Sequence, residues 1–322
     1  MSRCLIISAK GKKGHERQAL AIARRLGLET TIRTVDGRED PDAVWADVAA
    51  IAPALVIGAG RQSLRFARAI ARRPAPRPCV AVLQPVLWRP NEFDFVWAPL
   101  HDRTSLGYAR RNRLETLTAP SAVTPEERRE GAAWIDTVRP DLSPPRVGVL
   151  IGGASRSHRF GPDEAHELAA RLAAFADTHD ASLLVTTSRR TGAAQSAILR
   201  ETLADGGALF VDAMMPQTSA PVGASIAYAG ILEKADAFVV TADSFAMLSD
   251  VVATGKPAYG WRLPGGKAKF DTFYDGLVEH GAMQWFDGSL KSWKYDPLDA
   301  ADTIADTLRA SLGLLEDAQD RI

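Results

Sequence analysis

Cysteine is almost missing from this chain. Of 322 residues only Cys4 and Cys79 carry a thiol, and both fall inside apolar, strand-like runs. That pattern excludes a disulfide framework and a thiolate metal site, and it reads as two small buried hydrophobes in a reduced compartment. Long apolar runs are missing too, since none approaches the roughly 18 residues of a membrane span. The N-terminal MSRCLIISAKG has no apolar core ahead of a small-residue cleavage site, so no signal peptide is expected and the chain is expected in the cytoplasm. There is no net charge to speak of, the formal value at pH 7 being +0, and no nucleic-acid partner is expected. No Gly-Lys-Ser/Thr run is present, and the glycines after the first strands do not complete a dinucleotide fingerprint, so neither a P-loop nor an NAD site is expected.

What is present is an ordinary globular composition. The chain is 46% apolar and 24% charged, enough to bury large cores, and its length suggests about two domains. The zero net charge conceals an imbalance: residues 1–145 carry 23 Lys/Arg against 16 Asp/Glu, and 146–322 carry the reverse, 16 against 23. Two halves near +7 and −7 attract one another, and the basic half also leaves open an anionic acceptor or an anionic membrane surface as a partner. A proline-rich run, Arg139 to Arg146, has the stiffness of an inter-domain linker. The expected domains are 1–141 and 146–296, with a closing helix in 297–322 that packs back on the first.

Both halves repeat a βα rhythm, which predicts α/β architecture with a parallel sheet in each. The central stretch is Phe238 to Gly260, FVVTADSFAMLSDVVATGKPAYG. It reads as a buried strand, a sharp turn at Ala242-Asp243-Ser244, a helix ended by Gly255, and a second strand. Turns at the carboxyl ends of parallel strands are where such folds bind ligands, and a helix N-terminus there suits a phosphate. Asp250 lies two turns on, beside Ser244 and Met247, placed to accept from a sugar hydroxyl. The plainer alternative is that Asp243 or Ser244 only caps the helix and Asp250 is solvated.

Similar turns recur along the chain. After Arg3–Ala9 come Gly11 and Gly14, then His15 at a helix start, where the dipole favours the neutral imidazole that a general base requires; capping or packing is the other reading. Arg61 follows Gly58-Ala59-Gly60 and starts the stripe Arg61, Arg65, Arg68, Arg72 on one helix face, either solvated or a docking surface. His101-Asp102 ends a later strand, as a polar pair or a local turn. The only Asp-x-Asp, Asp40-Pro41-Asp42, fits a helix start, and no metal site is expected there. In the second half, Gly152-Gly153-Ala154-Ser155-Arg156 follows a strand, and Thr186-Thr187-Ser188-Arg189-Arg190 follows the next. Hydroxyls and guanidiniums at a strand end make an anion nest.

The runs TADSFAMLSDVVATGKPAYG, IGGAS and LLVTTSRRT resemble the ELM1-like family, mitochondrial fission ELM1 and its bacterial relatives. That family resembles the GT-B glycosyltransferases, with two Rossmann-like domains facing a cleft. The family more often has glutamate at the position of Asp250, and the Gln-Asp-Pro-Arg and Asn-Pro-Tyr runs of its relatives are here reduced to Gln84 and Tyr228. The resemblance implies a metal-independent glycosyltransferase with a nucleoside-diphosphate sugar as substrate and no resident cofactor. Donor contacts are then expected at Gly152, Gly153, Ser155, Arg156, Thr187, Ser188, Arg189, Asp243, Ser244, Met247 and Asp250. His15 is the expected base, with Gly11, Gly14, Arg61 and His101 on the side of an unknown acceptor. The alternative is a catalytically silent scaffold of the same fold, peripheral at a membrane or recruiting a division protein.

Overall fold

A computed structural model describes residues 2–11, 13–36, 38–102, 112–214 and 222–312. The chain divides into two compact units, Met1–Ala122 with Asp299–Ile322, and Val123–Leu298.

The first unit runs β1 (Arg3–Ala9), α1 (Lys13–Arg25), β2 (Glu29–Val35), α2 (Ala43–Ile51), β3 (Leu55–Ala59), α3 (Leu64–Ala71), β4 (Cys79–Leu83), β5 (Phe95–Pro99) and β6 (Arg113–Thr116). Its six strands are all parallel, in the order β2-β1-β3-β4-β5-β6. β1 and β3 carry apolar side chains on both faces, as a sheet covered by helices requires, and Leu5, Ile7, Val56, Phe66 and Val80 fill one side of it. The order reverses between β1 and β3, so their carboxyl ends flank the switch point.

The second unit runs α4 (Pro125–Val138), β7 (Arg146–Leu150), α5 (Pro162–His179), β8 (Ser182–Thr186), α6 (Ala193–Asp205), β9 (Leu209–Val211), α7 (Ala224–Lys234), β10 (Ala237–Thr241), α8 (Phe245–Val252), β11 (Ala258–Trp261), α9 (Asp271–Glu279) and β12 (Met283–Trp285). Its strands are again all parallel, ordered β12-β11-β10-β7-β8-β9, and the switch point lies between β7 and β10. β2, β6 and β12, all at sheet edges, were not foreseen; β6 and β12 are short and lack an alternating pattern.

The unit boundary falls after Ala122 rather than in the proline-rich run, because α4 packs on α7. The two helices cross where Gly131 meets Gly230, so closely that a Cβ on either would overlap the other's backbone. α10 (Ala300–Ser311) returns to the first unit, where Arg25 of α1 pairs with Asp299 and Asp302 and Arg309 donates to the carbonyl of Arg25.

Candidate functional site

The turns that follow β7, β8 and β10 meet at the carboxyl edge of the second sheet. Asp243, just after β10, extends its side chain across the switch point to the β7 loop, and that side chain is fully buried. Its Oδ2 accepts from the Gly153 N–H at 3.0 Å and from Arg190 Nη1 at 2.7 Å. Its Oδ1 is buried with no partner among the described residues. Gly152 is required here: a Cβ on it would overlap the Asp243 carboxylate. Gly153, at φ +138, is required twice over, since a Cβ would also strike the Arg190 carbonyl. The helix cap falls to the neighbour, Ser244, whose hydroxyl accepts from Met247 N. Asp243 therefore does not cap the helix.

The backbone donors of the glycine loop are already engaged. Gly152 N donates to Thr241 Oγ1 at 2.7 Å, Ala154 N to the Arg190 carbonyl at 3.2 Å and Ser155 N to the His158 carbonyl at 3.0 Å. The hydroxyls of the β8 turn are engaged as well. Thr187 Oγ1 donates to Asp212 Oδ1 at 3.2 Å, and Ser188 Oγ donates to the Gly152 carbonyl. The amide and hydroxyl nest read from the sequence thus holds the turns to one another. What it leaves outward is cationic: Arg189 is exposed, Arg190 is 41% exposed and bonded at 3.2 Å to the Gly153 carbonyl, and Arg156 is exposed. Gly192 precedes α6 and offers no side-chain cap, so the first-turn N–H groups of that 13-residue helix have no N-cap acceptor. A cavity of about 380 Å³ lies beside it, lined by Ser188, Arg189, Gly192, Ala193, Arg200 and Met214 among others. On α8, Asp250 accepts from the Tyr228 hydroxyl at 2.9 Å and Met247 is half-buried.

Three residues of this edge were not singled out from the sequence. Asp212, after β9, accepts from Thr187, Ser196, Arg200 and the Met214 N–H. Burial opposes its charge, but those hydrogen bonds and the Arg200 charge outweigh it and hold the carboxyl below the usual range. Tyr274 donates its hydroxyl to the Ala242 carbonyl, and burial, with the charge of Asp243, pushes the phenol up to about 12. His158, 7% exposed, has its imidazole pushed down by burial; Asp243 opposes that shift and Arg190 adds to it. A strand followed by an acidic residue was a signal available for Asp212. His158 had only its place five residues beyond a glycine pair.

In the first unit, the loops at the switch point also come together. Gly11 turns at φ +76, α1 begins at Lys13, and Gly14 and His15 lie exposed in its first turn. A Cβ on Gly60, itself at φ +88, would stand 3.3 Å from His15 Cδ2, so the imidazole rests on the glycine of the β3 loop. Arg61 is exposed beside it. His101 behaves otherwise: its side chain is 5% exposed, with Nε2 4.0 Å from Asp102 Oδ2. Arg103, the next residue, lies outside the described residues.

The arginine stripe is largely paired. Arg68 and Arg72 grip Glu92, Arg65 donates to the Glu39 carbonyl, and Arg68 and Arg89 stack on Trp88 at 5.1 and 4.5 Å from the ring centre. Asp42 pairs with Arg73 at 2.8 Å. Among the described residues no helix is long and apolar enough to cross a membrane.

A family model described as "Mitochondrial fission ELM1" matches residues 13–312. Over 284 residues the chain is 29% identical to the "Mitochondrial fission protein ELM1" of Arabidopsis thaliana, covering 81% of this chain. It spans only 64% of that plant protein's length. It is 23% identical over 291 residues to an uncharacterized protein of Rickettsia prowazekii (strain Madrid E), covering 81% of this chain and 80% of that one. Among solved structures, the UDP-GlcNAc 2-epimerase of Methanocaldococcus jannaschii matches with a TM-score of 0.60 at 11% identity, over 96% of this chain and 99% of that one. The UDP-GlcNAc 2-epimerase of Neisseria meningitidis bound to UDP-GlcNAc matches with a TM-score of 0.50 at 10% identity, over 96% of this chain and 100% of that one. These likenesses show the fold, which is GT-B-like.

Proposed function

We propose, for a chain that belongs to the mitochondrial fission ELM1 family, that it binds a nucleoside-diphosphate sugar at the carboxyl edge of its second sheet and transfers the sugar without a metal. The observation that carries this reading is the cationic, uncapped edge around the switch point: Arg189, Arg190 and the open N-terminus of α6 beside a cavity of about 380 Å³. The solved relative of the same fold bound to UDP-GlcNAc supports a donor of that class.

In the reaction His15 takes the proton of an acceptor hydroxyl, and that oxygen attacks the anomeric carbon. The bond from that carbon to the diphosphate breaks, and the diphosphate leaves with the electron pair. Fixed positive potential from Arg189 and the helix N-terminus stabilises the leaving charge, the part a metal plays elsewhere. Asp250, oriented by Tyr228, accepts from a sugar hydroxyl of the nucleotide.

Incubation with a panel of nucleotide sugars in EDTA tests the reading. Thermal stabilisation by at least one sugar nucleotide is expected, with transfer lost and binding kept in His15→Asn. No stabilisation and no turnover with any of them favours the second reading, a silent scaffold. That reading draws support from the engaged amides of the glycine loop and from the plant relative, a mitochondrial fission protein by name.

A further inference from the structure

The glycine loop's amides are spent on the protein, so an anion at this edge needs other donors. Resting on the nucleotide reading above, we infer that His158, with Arg156 and Lys267, forms a side-chain clasp that grips the phosphate of the bound ligand.

The clasp is built from two loops. The β7–α5 loop and the segment after β11 pair through an antiparallel bridge between His158 and Gly265. Arg159 N donates to the Pro264 carbonyl at 2.9 Å, and Gly266 N to the Ser157 carbonyl at 2.6 Å. Only glycine fits at 265: its φ is +100 and a Cβ would overlap the Ser157 carbonyl. The pairing fixes His158 beside Gly266, whose Cβ position lies 3.8 Å from the imidazole Nε2.

Hydrogen bonds assign the ring's tautomer. Ser155 Oγ accepts from Ser157 N and from His158 N, each at 3.1 Å, which fills its two lone pairs. Its own hydrogen is then free for His158 Nδ1, 3.3 Å away, so Nδ1 accepts and the proton sits on Nε2. The Nε2–H has no protein partner among the described residues, and it points where Gly266 offers no side chain to block an oxygen.

The charge around this donor suits an anion. Arg156 and Lys267 are both exposed, flank His158 on the two loops, and make no ion pair among the described residues. Arg190 by contrast is offset by Asp243. A neutral imidazole donating from Nε2, next to two unpaired cations, binds phosphate by one directed hydrogen bond and two charges. The pairing of the two loops holds the backbone that carries all three residues.

Titration of ¹⁵N-histidine-labelled full-length protein with inorganic pyrophosphate, and separately with UDP, tests this. The expected result is an Nε2-protonated His158 in the free protein whose Nε2 signal moves with either anion. His158→Phe is expected to weaken anion binding about tenfold, the scale of one hydrogen bond to a charged group. His158→Gln, which keeps a donor at that reach, holds it within about threefold. A His158 signal that neither anion moves, or His158→Phe binding as tightly as the parent, overturns the clasp even where UDP binds elsewhere on the protein. A signal that moves with pyrophosphate while UDP fails to bind keeps the clasp and removes the nucleotide reading.

Discussion

Arg190 and Asp243 are the residues on which the second unit's edge turns. Replacing Arg190 with Ala leaves the buried Asp243 carboxylate with the Gly153 N–H as its only partner among the described residues. Arg190 is 41% exposed, so the loss is smaller than for a fully enclosed pair, about 2 kcal/mol by urea unfolding, together with a loss of nucleotide binding. Asp212 gives a pH signature. Its folded-state carboxyl is depressed, so its contribution is fully present above the unfolded value of about 3.9 and is lost as pH falls through the folded value. Asp212→Asn is expected to be less stable than the parent at neutral pH, with the gap closing only below about pH 4; thermal melts across pH 3–7 check it. The individual turns were legible because Gly, Ser and Asp mark strand ends. Their partners were not: whether the Gly153 N–H meets a phosphate or Asp243 depends on residues 90 positions apart, and no local pattern carries that.

At the scale of elements, the crossing of α4 and α7 in the second unit leaves no room for a side chain between the helices. Gly131→Ala sets a methyl against the backbone of Ile226 and Gly230, and backbone in a helix cannot step aside. A loss of about 3 kcal/mol or more, read as a lowered urea midpoint with unchanged slope, is expected. A loss below about 0.5 kcal/mol, the range of an ordinary surface change, contradicts the close crossing. This contact also explains why composition misplaced the unit boundary. Arg139 to Arg146 has the prolines of a linker, but the helix before it is held by a glycine pair 99 residues apart in the sequence. The βα alternation itself was readable, because a parallel strand covered on both faces must be apolar throughout, as Leu55–Ala59 and Ala237–Thr241 are.

For the whole molecule, two doubly wound sheets each bring their chemistry to a switch point, as open α/β sheets do. In the first, His15 meets Gly60; in the second, Asp243 meets Gly153 and Arg190. Membership of the ELM1 family fixes neither a substrate nor a partner, because the chain spans 64% of the plant relative. The site must therefore be tried directly. The most direct measurement is a crystal structure of the protein soaked with UDP or GDP in the presence of EDTA. The account predicts diphosphate density at the carboxyl ends of β7, β8 and β10, within hydrogen-bond reach of Arg189 or Arg190 and the first turn of α6. Nucleotide bound anywhere else, or an edge left empty at millimolar ligand, contradicts it.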